Sequence, residues 1–297
     1  MHRSLWLVFF GVLSCRLAAQ EQLARSFPLD PDASVRIVNL TDSGSIRIIG
    51  WDKDSVVVSG TIARGSRFWS GGGGRRDAIK MFVDADKGAV GKSAGRSELI
   101  VRLPAHARVW VNAVVADVDV SALAGQLDVT AVSSHVRVLG TLTELRAETM
   151  NGDVEVTASP AYLRLKTATG RITWTGSSED VAVTTVSGRI MIDAGTVHRA
   201  RFESIDGDIR FTGGVSKAAS VTVDTHGGDV ALVMSKDTEA WVESSGSASD
   251  LFGKHSKGPR GRVSRETNYT SVGKPSESAA RVVVRSFKGR VTATLQR

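Results

Sequence analysis

The sequence predicts an all-β protein, a single parallel β-solenoid (β-helix) with coils of about 18 residues. Three observations predict it. Apolar residues recur at a long fixed spacing: Val118, Val136, Val154, Ile172, Ile190, Ile209 and Val230 follow one another at 18, 18, 18, 18, 19 and 21 residues. Small residues recur in register with them, two positions earlier. No apolar pattern of helical period appears after the first residues.

Residues 1–19 read as a secretory signal peptide. They carry Arg3, an apolar run from Leu5 to Leu13 and small residues near Ala19. The run is shorter than the roughly 20 residues that span a bilayer. Cys15 is expected to be discarded with this segment. The alternative is a lipoprotein signal ending before Cys15, which then carries the lipid and supplies the chain's one membrane attachment. In either case the mature chain has at most one cysteine, which excludes internal disulfides and cysteine-based metal clusters. The expected location is exported: periplasmic, outer-membrane-associated or extracellular.

Residues 27–110 are expected to form an N-terminal cap and the first coils. "SVRIVNLTDSGSIRIIGWDKDSVVVSGTI" and "SELIVRLPAHARVWVNAV" alternate with the period of two that marks strands, and an early copy of the repeat centres on Ile46. Between them lies the Gly/Ser-rich interruption "RGSRFWSGGGGRRDA". A solenoid needs such a cap because its end coil otherwise exposes an unpaired edge.

Residues 111–243 carry the regular coils. Seven and nine positions before each marker stand further apolar residues, such as Leu145 and Ala147, then Leu163 and Leu165. Each coil is therefore strand, corner, strand, corner. The first corner column reads Gly44, Ala116, Ser134, Gly152, Gly170, Gly188, Gly207, Gly228 and Gly289. Small residues there suit a tight corner, and the expectation is positive φ. One coil cannot bury enough apolar surface to offset the entropy of ordering it, so the coils must stack.

Residues 244–280 form a basic Gly/Ser-rich insertion with Lys254, Lys257, Arg260, Arg262, Arg265 and Lys274. It is expected to be a solvated loop over one solenoid end. The alternative is a surface that uses its basic residues with Phe252 and Tyr269 to hold an acidic polymer. Residues 281–297 are the final coil, centred on Val291.

The net charge of +7 permits contact with anionic polymers without specifying one. No P-loop, G-x-S-x-G or H-E-x-x-H motif is present, and no cofactor is expected. The outward columns pair opposite charges between coils, as with Asp128 and Arg146 or Glu148 and Lys166, and His135 is read as a cross-strand partner. The exception is Asp208 above Asp229, with Asp206 at the nearby corner. Uncompensated carboxylates side by side suit cation binding or attack on a glycoside; the other reading is two solvated aspartates on a longer coil.

The phrases "SGSIRIIGWDKDSVVVSGT" and "LIVRLPAHARVWVNAVVADVDVSAL", followed by "NGDVEV", "TGRITW", "SGRIMI" and "DGDIRF", resemble the bacterial "putative adhesin" family of unknown function over nearly the whole mature chain. The resemblance implies an exported β-solenoid and brings no catalytic residue or cofactor. The functional expectation is a non-enzymatic exported module for surface contact or adhesion. Its partners are expected to be envelope or extracellular glycans or other surface proteins, not nucleic acid. The alternatives are a polysaccharide-acting β-helix enzyme using the Asp206, Asp208 and Asp229 carboxylates, and an envelope protein assembling end to end through an uncovered coil.

Overall fold

The computed structural model describes residues 21–41, 43–72, 75–85, 95–246, 248–257 and 267–296. The signal segment with Cys15, and Arg260, Arg262 and Arg265 of the basic insertion, lie outside the described residues. Every regular element among those described is a β-strand.

The strands stack into two facing walls. In the first wall, Gln126–Ser133, Glu144–Asn151 and Tyr162–Thr167 pair in parallel, with Leu127 opposite Leu145 and Leu145 opposite Leu163. In the second wall, Val118, Val136, Val154, Ile172, Ile190, Ile209, Val230 and Val291 form one ladder. Alternation along each strand turns these columns inward, and all of that ladder is buried. Burying each such side chain contributes about 1.5–3 kcal/mol. The gap between the walls is filled by Trp174, Phe202 and Phe211, the two phenylalanines tilted with centroids 5.7 Å apart. The indole N–H of Trp174 donates to the Ala158 carbonyl at 3.0 Å, so its burial leaves no polar group unpaired.

The corner glycines are needed for a different reason from the one the sequence suggests. Of Gly44, Gly152, Gly170, Gly188, Gly207, Gly228 and Gly289, only Gly152 has positive φ. What excludes a side chain is close approach. A Cβ on any of the seven would lie under 3.0 Å from a backbone carbonyl oxygen of the neighbouring coil, that of Gly170 in the case of Gly188. A second device, not anticipated from sequence, is a buried hydroxyl column: Thr149, Thr167, Thr185, Ser204, Thr225 and Ser286. The hydroxyls of Thr167, Thr185, Ser204 and Thr225 each accept the N–H of the glycine three residues on. Ser286 donates to the Gly228 carbonyl of the adjacent coil at 3.1 Å.

At both ends the stacking order departs from chain order. Ser34–Asn39 lies between Ala78–Ala85 and Arg108–Ala113. Ala280–Ser286 lies between the end of Ile209–Thr225 and Ala240–Ser245. Two expectations are thereby corrected. The C-terminal coil is clasped between two earlier ones and is not the last in the stack. The segment beginning at residue 244 is not all insertion: Ala240–Ser245 and Ala248–Leu251 are a further coil, paired with Ala280–Ser286 and Arg290–Leu295. Its inward positions include Ser244 and Ser249, both buried, which erases the apolar signal. The outermost strands are antiparallel: at one end Ser66–Gly71 and Glu21–Pro28, the latter on Ser55–Ile62, which itself lies antiparallel on Ser97–Pro104; at the other Thr267–Val272 and Lys254–Lys257.

Outward charges pair across coils as read, Lys166 with Glu148 at 2.7 Å and Arg137 with Glu155 at 3.0 Å. His135 Nε2 lies 3.7 Å from the same Glu155. Asp128, between Trp110 and Arg146, is half-buried, and that burial pushes its carboxyl above the usual aspartate range; Arg146 opposes the shift, while Glu148 and Glu144 add to it.

Gly188→Ala is expected to lower stability by about 1–3 kcal/mol through overpacking, read as a lower urea midpoint. Gly71→Ala, where an added Cβ meets nothing within 4 Å, should change stability by less than about 0.5 kcal/mol. A raised carboxyl pKa means that ionising Asp128 disfavours the folded chain, an effect absent below the ordinary aspartate value of about 3.9 and growing as pH rises through the folded value. Asp128→Asn should therefore raise the urea midpoint at neutral pH and leave it unchanged well below that value.

A candidate ligand-binding cleft

The hydroxyl staple determines what each corner presents to solvent. Thr185, Ser204, Thr225 and Ser286 face inward, so the next residue in each coil faces outward: Val186, Ile205, His226 and Phe287. The corner turns immediately afterwards, and these side chains are left on the rim of the first wall. Earlier coils continue the column with Met150, Val132 and, through the displaced coil, Leu40. Of the apolar members, Leu40, Val132, Met150, Val186, Ile205 and Phe287 are each at least 43% exposed. The sequence held a signal for this column, since an apolar residue recurs four positions before most markers at an outward parity. It is not part of the inward pattern that defines the repeat.

Beside the rim, strand pairing lines up Thr184, Glu203, Asp224, Arg285 and Ser245 across five adjacent strands. Together with the rim they enclose an open cleft of about 740 Å³. Phe287 and His226 stack at one side, centroids 4.8 Å apart and 14° from parallel. Arg285 Nη1 donates to Asp224 Oδ1 at 3.3 Å, and Arg201 bonds Glu203. Glu243 also lines the cleft and has no ion pair among the described residues. On its far side a smaller cleft of about 310 Å³ is lined by Trp241, Tyr269 and Arg281. Tyr269 is 73% exposed; Trp241 is half-exposed, its indole N–H donating to the Ser276 carbonyl at 3.2 Å.

The carboxylates singled out from the sequence lie elsewhere and are occupied. Asp208 Oδ1 accepts the N–H of Asp229 at 3.0 Å, and its Oδ2 is 3.3 Å from Arg189. Asp229 Oδ1 accepts the N–H of Arg290 at 2.7 Å. Asp117 and Asp153 do the same for His135 and Arg171. These aspartates form a ladder in which each carboxylate caps a backbone N–H of the adjacent coil, so Asp208 and Asp229 are not uncompensated. Asp206 lies at the corner beside Gly227, where a Cβ would run into its carboxylate. Among the described residues no group of three or more His, Cys, Asp or Glu side chains could hold a metal ion.

The family model described as Toastrack DUF4097 matches residues 72–293. None of the curated proteins matches the chain. Among solved structures it is similar to the crystal structure of "a putative cell adhesion protein" from Clostridium sporogenes ATCC 15579, at 9% identity and a TM-score of 0.27, over 93% of this chain and 100% of that one.

Removing the carboxylate in Asp208→Ala or Asp229→Ala is expected to cost about 1 kcal/mol of stability each, seen as a lower urea midpoint. A mutant that gains stability, as two repelling carboxylates relieved of each other would, contradicts the capping role.

Proposed function

The chain belongs to the Toastrack DUF4097 family, a family of unknown function, and on that premise we propose that it is an exported, non-enzymatic protein that makes contacts at the cell envelope or cell surface through the outward side of its stacked coils. The observation that carries the reading is the exposed apolar column from Leu40 to Phe287. A mostly apolar strip left in water, interrupted by His226, is a cost that folding alone does not require, and such strips mark contact surfaces. Stacking repeats it coil by coil, so weak contacts act together. The outline of a secretory signal in residues 1–19 supports export.

Two other readings have less support. The carboxylates that suggested a polysaccharide-acting enzyme cap backbone N–H groups. End-to-end assembly through a bare parallel coil has no such coil to use among the described residues, because antiparallel strands lie outermost at both ends.

Purified chain is expected to be retained by a cell-envelope preparation above a charge-matched control protein. The double substitution Val132→Ser, Met150→Ser should cut retention about tenfold, one lost hot spot being worth 1 kcal/mol or more, without lowering the melting temperature. Retention no better than the control's rejects the proposal.

A further inference from the structure

We infer that the cleft beside Phe287 takes an uncharged, hydroxyl-rich saccharide chain. The inference rests on the surface-contact reading and names what the surface holds at this place. Three features point the same way.

The first is a pair of aromatic platforms. The stacked Phe287 and His226 border one side of the cleft, and Tyr269 with Trp241 lie beyond Glu243. Strand geometry puts Phe287 and Tyr269 roughly 16 Å apart along the wall, a span for several sugar rings in a row. The C–H face of a pyranose packs on an aromatic face, and aromatic side chains supply large contact area at small entropic cost.

The second is the polar set that lies beside and between the platforms. A sugar hydroxyl both donates and accepts, and it is met by carboxylate acceptors and guanidinium donors. Glu203, Asp224, Glu243, Arg285 and Arg281 supply both kinds. Asp224 with Arg285 and Glu203 with Arg201 are held by each other, and each keeps lone pairs or N–H groups that its partner does not use. Groups fixed before binding lose little freedom when a ligand arrives.

The third is charge. With Arg201, the described residues of the region hold three guanidiniums and three carboxylates, a balanced set on a chain of net charge +7. A polyanion has no reason to prefer this place to the basic surface elsewhere, and a cationic peptide meets no net negative field.

The test is a screen of the secreted chain against immobilised uncharged, carboxylated and sulfated glycans, then calorimetric titration with the best uncharged hexasaccharide. Wild type should bind uncharged glycans saturably, and the affinity should hold as sodium chloride is raised. Phe287→Ala and Tyr269→Ala should each weaken binding about tenfold; the melting temperature should be unchanged for Tyr269, which is 73% exposed, and only slightly lowered for the partly exposed Phe287. Binding confined to anionic glycans and lost in salt overturns the inference. So does uncharged-glycan binding that both variants keep, or binding to no glycan in the screen. Envelope retention that depends on Val132 and Met150 in a chain blind to glycans removes this inference and leaves the surface-contact reading standing. Saccharide binding without envelope retention does the reverse.

Discussion

The structure depends on how closely one corner approaches the next. Strands in a parallel ladder lie about 4.8 Å apart wherever they are straight. The chain must also turn at that spacing, and a turning backbone points carbonyls at its neighbour. Gly170, Gly188, Gly207, Gly228 and Gly289 solve this by omission, leaving space for the oxygen of the coil beside them. The hydroxyl three residues earlier then fixes the turn. Because the same contact recurs at each of these corners, register is set once per coil there, and the columns follow from it: the inward valines and isoleucines, the aspartate ladder and the apolar rim.

Much of this was legible in the sequence. A side-chain period of two inside a coil period near 18 separates inward from outward positions, so the all-β reading and nearly all the buried columns could be read directly. The corner glycines were legible as corners, although a letter G does not say whether it is needed for its dihedral angle or for its missing Cβ. Ala240–Ser245 and Ala248–Leu251 were not legible as a coil, because serine occupies inward positions at Ser244 and Ser249 and the apolar alternation fails there. The order of coils at the two ends was not legible either. Nothing local in "ARVVVRSFKG" says that its neighbours are 220–225 on one side and 240–245 on the other.

The same distinction explains the candidate site. Asp208 and Asp229 look uncompensated in the sequence because each accepts a backbone N–H, which has no residue type. The cleft is the converse case. Asp224 and Arg285 are 61 residues apart in sequence and adjacent in space only because the last coil docks against the strand ending at Thr225. The rim that borders it follows a plain arithmetic rule, but an outward apolar residue carries no meaning until stacking places its neighbours beside it.

The clasped coils also bear on how the molecule comes apart and comes together. In a simple stack the terminal strand has one free edge and frays first. Here the strands Ala280–Ser286 and Arg290–Leu295 are hydrogen-bonded along both edges, as are Ser34–Asn39 and Gly44–Trp51 near the other terminus. Pulling Arg290–Leu295 away must shear two ladders at once, whereas Glu21–Pro28 and Ser66–Gly71 are each held along one edge. Emergence in sequence order, as in synthesis, cannot close either end until a later segment arrives to fill the slot. The strands Ala280–Ser286 and Arg290–Leu295 are thus the bolt that locks one end of the stack.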